Sequence, residues 1–124
     1  MIGGAANYVR LSRLGAKQEC GTAVRIDVKA GPFQGTVRDD TLVGITAFRE
    51  ELSRLYERLD GTATLTSYDK FKMVMCGDGR GGIAVSVELF GEHCPLSKLS
   101  AEFEIDQTYL PSIIKQMTRE FPEG

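Results

Sequence analysis

Three runs follow one another without interruption: Phe71-Lys72-Met73-Val74-Met75-Cys76, then Gly77-Asp78-Gly79-Arg80-Gly81-Gly82, then Ile83-Ala84-Val85-Ser86-Val87-Glu88-Leu89-Phe90. Phe71, Met73 and Met75 alternate with polar or smaller neighbours, and so do Ile83, Val85, Val87 and Leu89. A period of two places one face of each run on a core and the other in water. The glycines between them suit a tight turn, so the segment predicts an antiparallel hairpin. Matching the inward faces sets Met75 opposite Ile83 and Met73 opposite Val85, with Asp78, Gly79 and Arg80 at the tip. Leu99, Ala101, Phe103 and Ile105 continue the pattern; matching them sets Leu89 opposite Leu99 and Val87 opposite Ala101. The outward side chains then fall into rows: Lys70 beside Glu88, Lys72 beside Ser86 and Glu102, with Glu104 further along.

On the N-terminal side, Thr62 to Thr66 predicts the strand that leads into this meander. Before it, Ile45, Phe48, Leu52, Leu55 and Leu59 recur at steps of three and four, with Arg49, Glu50, Glu51, Arg54, Glu57 and Arg58 on the other side. That spacing predicts a core-facing helix from near Thr41 to Gly61, capped by Asp39 or Asp40. Val24, Ile26 and Val28 predict a strand over Thr22 to Ala30. Gly31-Pro32 turns the chain into a short partner strand, Phe33 to Arg38. Tyr8 to Leu14 predicts a first strand, and the small, glycine-rich start, residues 1–7, is expected to be frayed.

On the C-terminal side, Leu110, Ile113, Ile114, Met117 and Phe121 form a second apolar stripe. Pro111 requires a late helix start, with Asp106 or Thr108 as cap, because proline costs nothing only in the first turn. The expectation is an α+β fold: an antiparallel β-sheet with two α-helices packed on one face, in the order β-β-β-α-β-β-β-β-α. Residues 1–124 are expected to form a single domain.

The composition narrows function. At 124 residues and 42% hydrophobic, the chain is long enough to bury a core without a staple or metal. Fifteen basic side chains against seventeen acidic ones, with a net charge of −2 and no basic block, argue against nucleic acid as a partner. Cys20, Cys76 and Cys94 are odd in number and far apart, which fits reduced thiols. No stretch approaches the length of a membrane span, and no signal-peptide pattern opens the chain. A cytoplasmic location is expected, with no membrane partner.

Candidate chemistry is sparse. Gly77 to Gly82 satisfies G-x-G-x-x-G, but a dinucleotide site needs a helix after the glycines, and Ile83 to Phe90 alternates as a strand. The hairpin turn is the better reading. His93-Cys94 could form an activated thiol, yet neighbours in an extended segment point to opposite sides and no third group orients them. One histidine and scattered cysteines match no metal-ligand spacing. Glu102 and Glu104 share a strand face and could pair as hydrolytic carboxylates. That face has no apolar wall to raise a pKa, so a solvated face fits them better. No catalytic, cofactor or metal residues are assigned. Glu88, Glu102, Glu104, Lys70 and Lys72 are instead the candidate partner-binding residues, on an acidic face suited to a cationic protein.

Asp39 through Phe121 carries a resemblance. Thr41-Leu42-Val43-Gly44-Ile45-Thr46-Ala47-Phe48, Gly81-Gly82-Ile83-Ala84-Val85-Ser86-Val87 and the closing Phe103-Glu104-Ile105-Asp106-Gln107-Thr108-Tyr109-Leu110-Pro111 resemble the WapI-type immunity proteins. They are also similar to a neighbouring group of uncharacterised bacterial domains. The resemblance implies a small cytoplasmic protein, without catalysis, that binds and neutralises a cognate toxin. Two alternatives stand beside it. One is a structural or homo-oligomerising domain joined at a sheet edge, Tyr8 to Leu14 or Leu99 to Ile105. The other is a small-ligand binder with a pocket between helices and sheet, using Cys94 or the tip at Asp78 to Gly82.

Overall fold

The structure, a computed structural model, describes residues 2–15, 21–68, 70–91 and 98–122. Its strands are β1 (Ile2–Gly3), β2 (Asn7–Arg13), β3 (Thr22–Ala30), β4 (Phe33–Val43), β5 (Asp60–Ser67), β6 (Phe71–Asp78), β7 (Gly82–Phe90) and β8 (Lys98–Asp106). Helix α1 (Ile45–Arg58) lies between β4 and β5, and a 3-10 turn (Gln107–Tyr109) leads from β8 into α2 (Leu110–Glu120). The strands form one antiparallel sheet in chain order. The expected class holds, with two helices on one face of an antiparallel sheet. The start adds a short strand to the expected order.

Two residue pairs alone join β4 to β5, Leu42 with Ser67 and Val43 with Thr66. The sheet therefore divides into β1–β4 and β5–β8, and the apolar faces of the halves meet. A Cβ on Gly35 of β4 would lie 3.0 Å from Leu99 and 3.1 Å from Leu89, side chains of the opposite half. Val24, Ile26 and Val28 from one half, Met73, Met75, Val85 and Val87 from the other, and Phe48, Leu52, Leu55, Leu110 and Ile113 from the helices share one core. Burial of such side chains, about 1.5–3 kcal/mol each, is the main force holding the layers together.

Helix α1 does not begin at Thr41, and neither Asp39 nor Asp40 caps it. Strand β4 runs on to Val43 because of a bulge between Val24 and Ile26 of β3: Ile26 faces Val37, but Val24 faces Asp40, leaving Arg38 and Asp39 across from Arg25. The extra residue shifts the alternation, so that Val37, Asp40 and Leu42 are all buried. Gly44, with φ of 68°, then turns the chain into the helix without a side-chain cap. At the other end Leu59, not Gly61, takes the left-handed conformation with φ of 63°, its N–H donating to the Leu55 carbonyl. Gly61 already belongs to β5.

Residues 2 and 3 are not frayed, since Ile2 pairs with Val9 and Gly3 with Tyr8, and Ile2 is buried. The β6–β7 register also differs from expectation: Met75 faces Val85 and Met73 faces Val87. The last pair is Gly77 with Ile83, so the tip runs from Asp78 to Gly82, two residues longer than expected, with Gly79 (φ 81°) and Gly81 (φ 103°) both in left-handed backbone. Asp78 Oδ1 accepts the Arg80 and Gly82 N–H groups at 2.7 and 3.0 Å. A slip of two residues preserves which side chains face inward. The β7–β8 register is as expected, with Leu89 facing Leu99 and Val87 facing Ala101.

Candidate partner-binding face

The outward rows of β5–β8 follow from the observed register. Thr66, Lys72, Glu88 and Ser100 form one row, Thr64, Val74, Ser86 and Glu102 the next, and Thr62, Cys76, Ala84 and Glu104 the third. Lys72, Glu102 and Glu104 are exposed and Glu88 half-exposed. Of the candidate residues, the structure brings Lys72, Glu88, Glu102 and Glu104 onto one face. Lys72 rather than Lys70 stands opposite Glu88, and Glu102 faces Ser86 without Lys72 beside it.

Lys70 belongs to no strand. Its backbone N–H donates to Asp40 Oδ2 at 3.2 Å, so this residue helps tie the β5–β6 turn to β4 of the other half. The register explains the displacement: shortening the hairpin by two residues on paper moves each β6 residue one row along β7.

Lys98 is the residue the sequence reading missed. Its Nζ lies 3.6 Å from Glu88 Oε1 and 5.5 Å from the centre of the Phe90 ring. Counting back one residue from inward Leu99 would have placed it outward. Both members of the ion pair are nearly half exposed, 47% and 44%, so it contributes at most about 1 kcal/mol. Asp106 closes the strand on the same outward alternation as Glu102 and Glu104. Its carboxylate accepts the Thr108 hydroxyl and the Thr108 N–H, which holds its pKa below the usual 3.8. The face is therefore negative along β8, with Lys98 at one end.

The geometry does not assemble a reaction centre here. Glu102 and Glu104 lie on an open face bordered by Ser86, Ser100 and Ala84, without an apolar wall. Gly77 to Gly82 forms the hairpin described above, and its N–H groups at Arg80 and Gly82 are taken by Asp78. Among the described residues no group of His, Cys, Asp or Glu could hold a metal ion. Cys76 is an exposed free thiol, whereas Cys20 and the His93-Cys94 pair lie outside the described residues. No helix among the described residues is long and apolar enough to cross a membrane.

A groove of about 480 Å³ runs between β2 and α2, floored by Val9, Met117 and Phe121 and rimmed by Arg10, Arg13 and Arg119. Arg13 is committed to the protein itself, donating to the Gly15 and Glu120 carbonyls at 2.6 Å each and lying over the Phe121 ring. Arg119 sits 3.7 Å from Glu120.

The arrangement is that of a charged, strand-borne face on an α+β scaffold. The family model for immunity proteins of the WapI-like family matches residues 2–123, and the chain belongs to that family. No curated protein and no solved structure gives a significant match.

Proposed function

We propose that this protein is a non-catalytic, cytoplasmic immunity protein that binds a cognate bacterial toxin and neutralises it by occupying its surface. Membership of the WapI-like immunity family across residues 2–123 is the observation that carries this reading. The outward face of β6–β8, with Glu88, Glu102, Glu104 and Lys72, supports it as the contact surface. Its charges are carried on paired strands, so the backbone beneath them is already ordered before binding. Lys70 lies at the border of this face and contributes through the β5–β6 turn. Charge complementarity there fits a cationic toxin surface, with no cofactor needed.

The test is co-expression with the adjacent candidate toxin, which this reading expects to be the variable C-terminal domain of a large secreted protein encoded directly upstream. Restored growth, together with co-purification of the two polypeptides, is the expected result. Continued toxicity while both proteins are soluble and abundant would overturn the reading.

A further inference from the structure

Among the described residues, four longer stretches of sheet backbone lack a strand partner on one side, and they are covered in different ways. Beyond Val9, β2 has no partner in β1, but α2 lies alongside and the Arg13 side chain donates to the Glu120 carbonyl. Before Leu42, β4 is unpaired on its β5 side, but it carries the Arg38–Asp39 bulge and packs on Leu89 and Leu99. Before Thr66, β5 is covered by α1, whose Glu51 carboxylate accepts the Thr64 N–H at 3.1 Å. Helix cover, bulges and capping side chains are the ordinary means of blunting a sheet edge.

Strand β8 has none of these among the described residues. It pairs with β7 without a bulge from Lys98 to Asp106, over 9 residues, and no described strand or helix pairs with its other side. Its inward Leu99 and Phe103 are partly buried against the core, next to Gly35 of β4 and Gly3 of β1, so the side chains are packed while the backbone of the outer side has no described strand partner. Its outward residues are Lys98, Ser100, Glu102, Glu104 and Asp106.

Those charges select among occupants. If two copies of β8 paired antiparallel along their full length, Lys98 would meet Asp106 at each end, but Glu102 would stand opposite its own copy with both Glu104 residues diagonal to it, concentrating like charge at the centre. An extended segment with Lys or Arg at alternate positions would meet Glu102, Glu104 and Asp106 with opposite charge. We propose that the free edge of β8 is the docking element for the toxin: a cationic extended segment of the partner joins the sheet as an additional strand. Backbone hydrogen bonds supply affinity, and the acidic outward row selects the sequence. This inference rests on the toxin-binding reading and specifies how the contact is made.

The probe is a short synthetic peptide in which Lys alternates with Val, titrated into the full chain to millimolar concentration and followed by amide NMR and hydrogen exchange. The expected result is shifts concentrated at residues 98–106, slower exchange at alternate β8 amides, and binding weakened about tenfold by E102K/E104K. The matching Glu-Val peptide should not bind the wild-type chain. Three results would overturn the proposal: no binding, shifts on the outward face without protection of β8 amides, or protection that rises with protein concentration in the absence of peptide, which identifies a second copy as the occupant. Growth rescue by E102K/E104K separates the two levels. Undiminished rescue refutes the β8 edge and leaves toxin neutralisation intact, whereas absent rescue by the wild-type chain, with the peptide still protecting β8, refutes neutralisation and leaves the edge.

Discussion

Gly77 lies under the end of α1, where an added Cβ would come within 2.6 Å of the Leu59 carbonyl oxygen and 2.7 Å of Leu55 Cδ1. The Gly79 N–H donates to that same carbonyl at 2.8 Å, so the helix end and the β6–β7 tip are pinned together. Gly77→Ala should cost about 1–3 kcal/mol by overpacking. Urea unfolding would read this as a lower midpoint at unchanged slope, and an unshifted midpoint would mean that the helix end yields freely. Asp106 works differently, through its bonds to Thr108 at the entry to the 3-10 turn. Those bonds, the hydroxyl one first, lower its folded pKa below 3.8. The stabilisation is therefore complete above the unfolded-state pKa and fades as pH falls through the lower folded value. Asp106→Ala should lower Tm at neutral pH, and the gap to wild type should close in strong acid; melts at the two pH values would check it. Single residues of this kind were partly legible in the sequence. Asp106 before Thr108 and Pro111 reads directly as a cap, but Gly77 cannot be distinguished from its neighbouring glycines without knowing what lies above it.

At the scale of elements, the join between β4 and β5 is the narrowest point of the sheet, and Asp40 reinforces it. Its buried carboxylate accepts the Ser67 hydroxyl at 2.5 Å, the Thr41 N–H at 2.8 Å and the Lys70 N–H at 3.2 Å, tying β4 to the β5–β6 turn. Asp40→Ala removes the shared acceptor and leaves buried donors unpaired, at about 1–3 kcal/mol for each group that water cannot reach. Hydrogen exchange should accelerate first at Thr41, Ser67 and Lys70, ahead of β6–β7. Uniform loss of protection across the sheet would argue against a local clasp. This element was the least legible one. Val37 and Leu42 are five apart, a spacing that neither a regular strand nor a helix face explains, and the bulge that reconciles them leaves no signature in residue type. Strand β3, both helix stripes and the β7–β8 pairing were legible because their alternation is unbroken. The β6–β7 register slipped because Gly79 and Gly81 both turn left-handed, where one such residue would close a shorter loop.

Across the whole molecule, the division into two half-sheets decides which surfaces are available. The halves bury each other's apolar faces and the helices fill the same core, which leaves the outside of β6–β8 as a flat, strand-borne surface. The alternation of Glu88, Glu102 and Glu104 made this surface readable in advance. Lys98 was not part of that reading, because it precedes the first apolar residue of its strand. Converting Glu88, Glu102 and Glu104 to Lys reverses the sign of the formal net charge of −2 without touching a buried side chain. Stability should therefore change by no more than about 1 kcal/mol, the usual ceiling for exposed ion pairs such as Glu88–Lys98. Association with the toxin should respond far more. Long-range attraction between complementary faces raises encounter rates and is screened over about 8–10 Å at physiological salt. For the wild-type chain, stopped-flow association should slow steeply as salt rises. The triple variant should associate at least about tenfold more slowly at low salt and gain, rather than lose, speed as salt screens the new repulsion. Equal rates for the two chains at low salt, with both folded, would remove this face from the encounter and place the toxin elsewhere on the molecule.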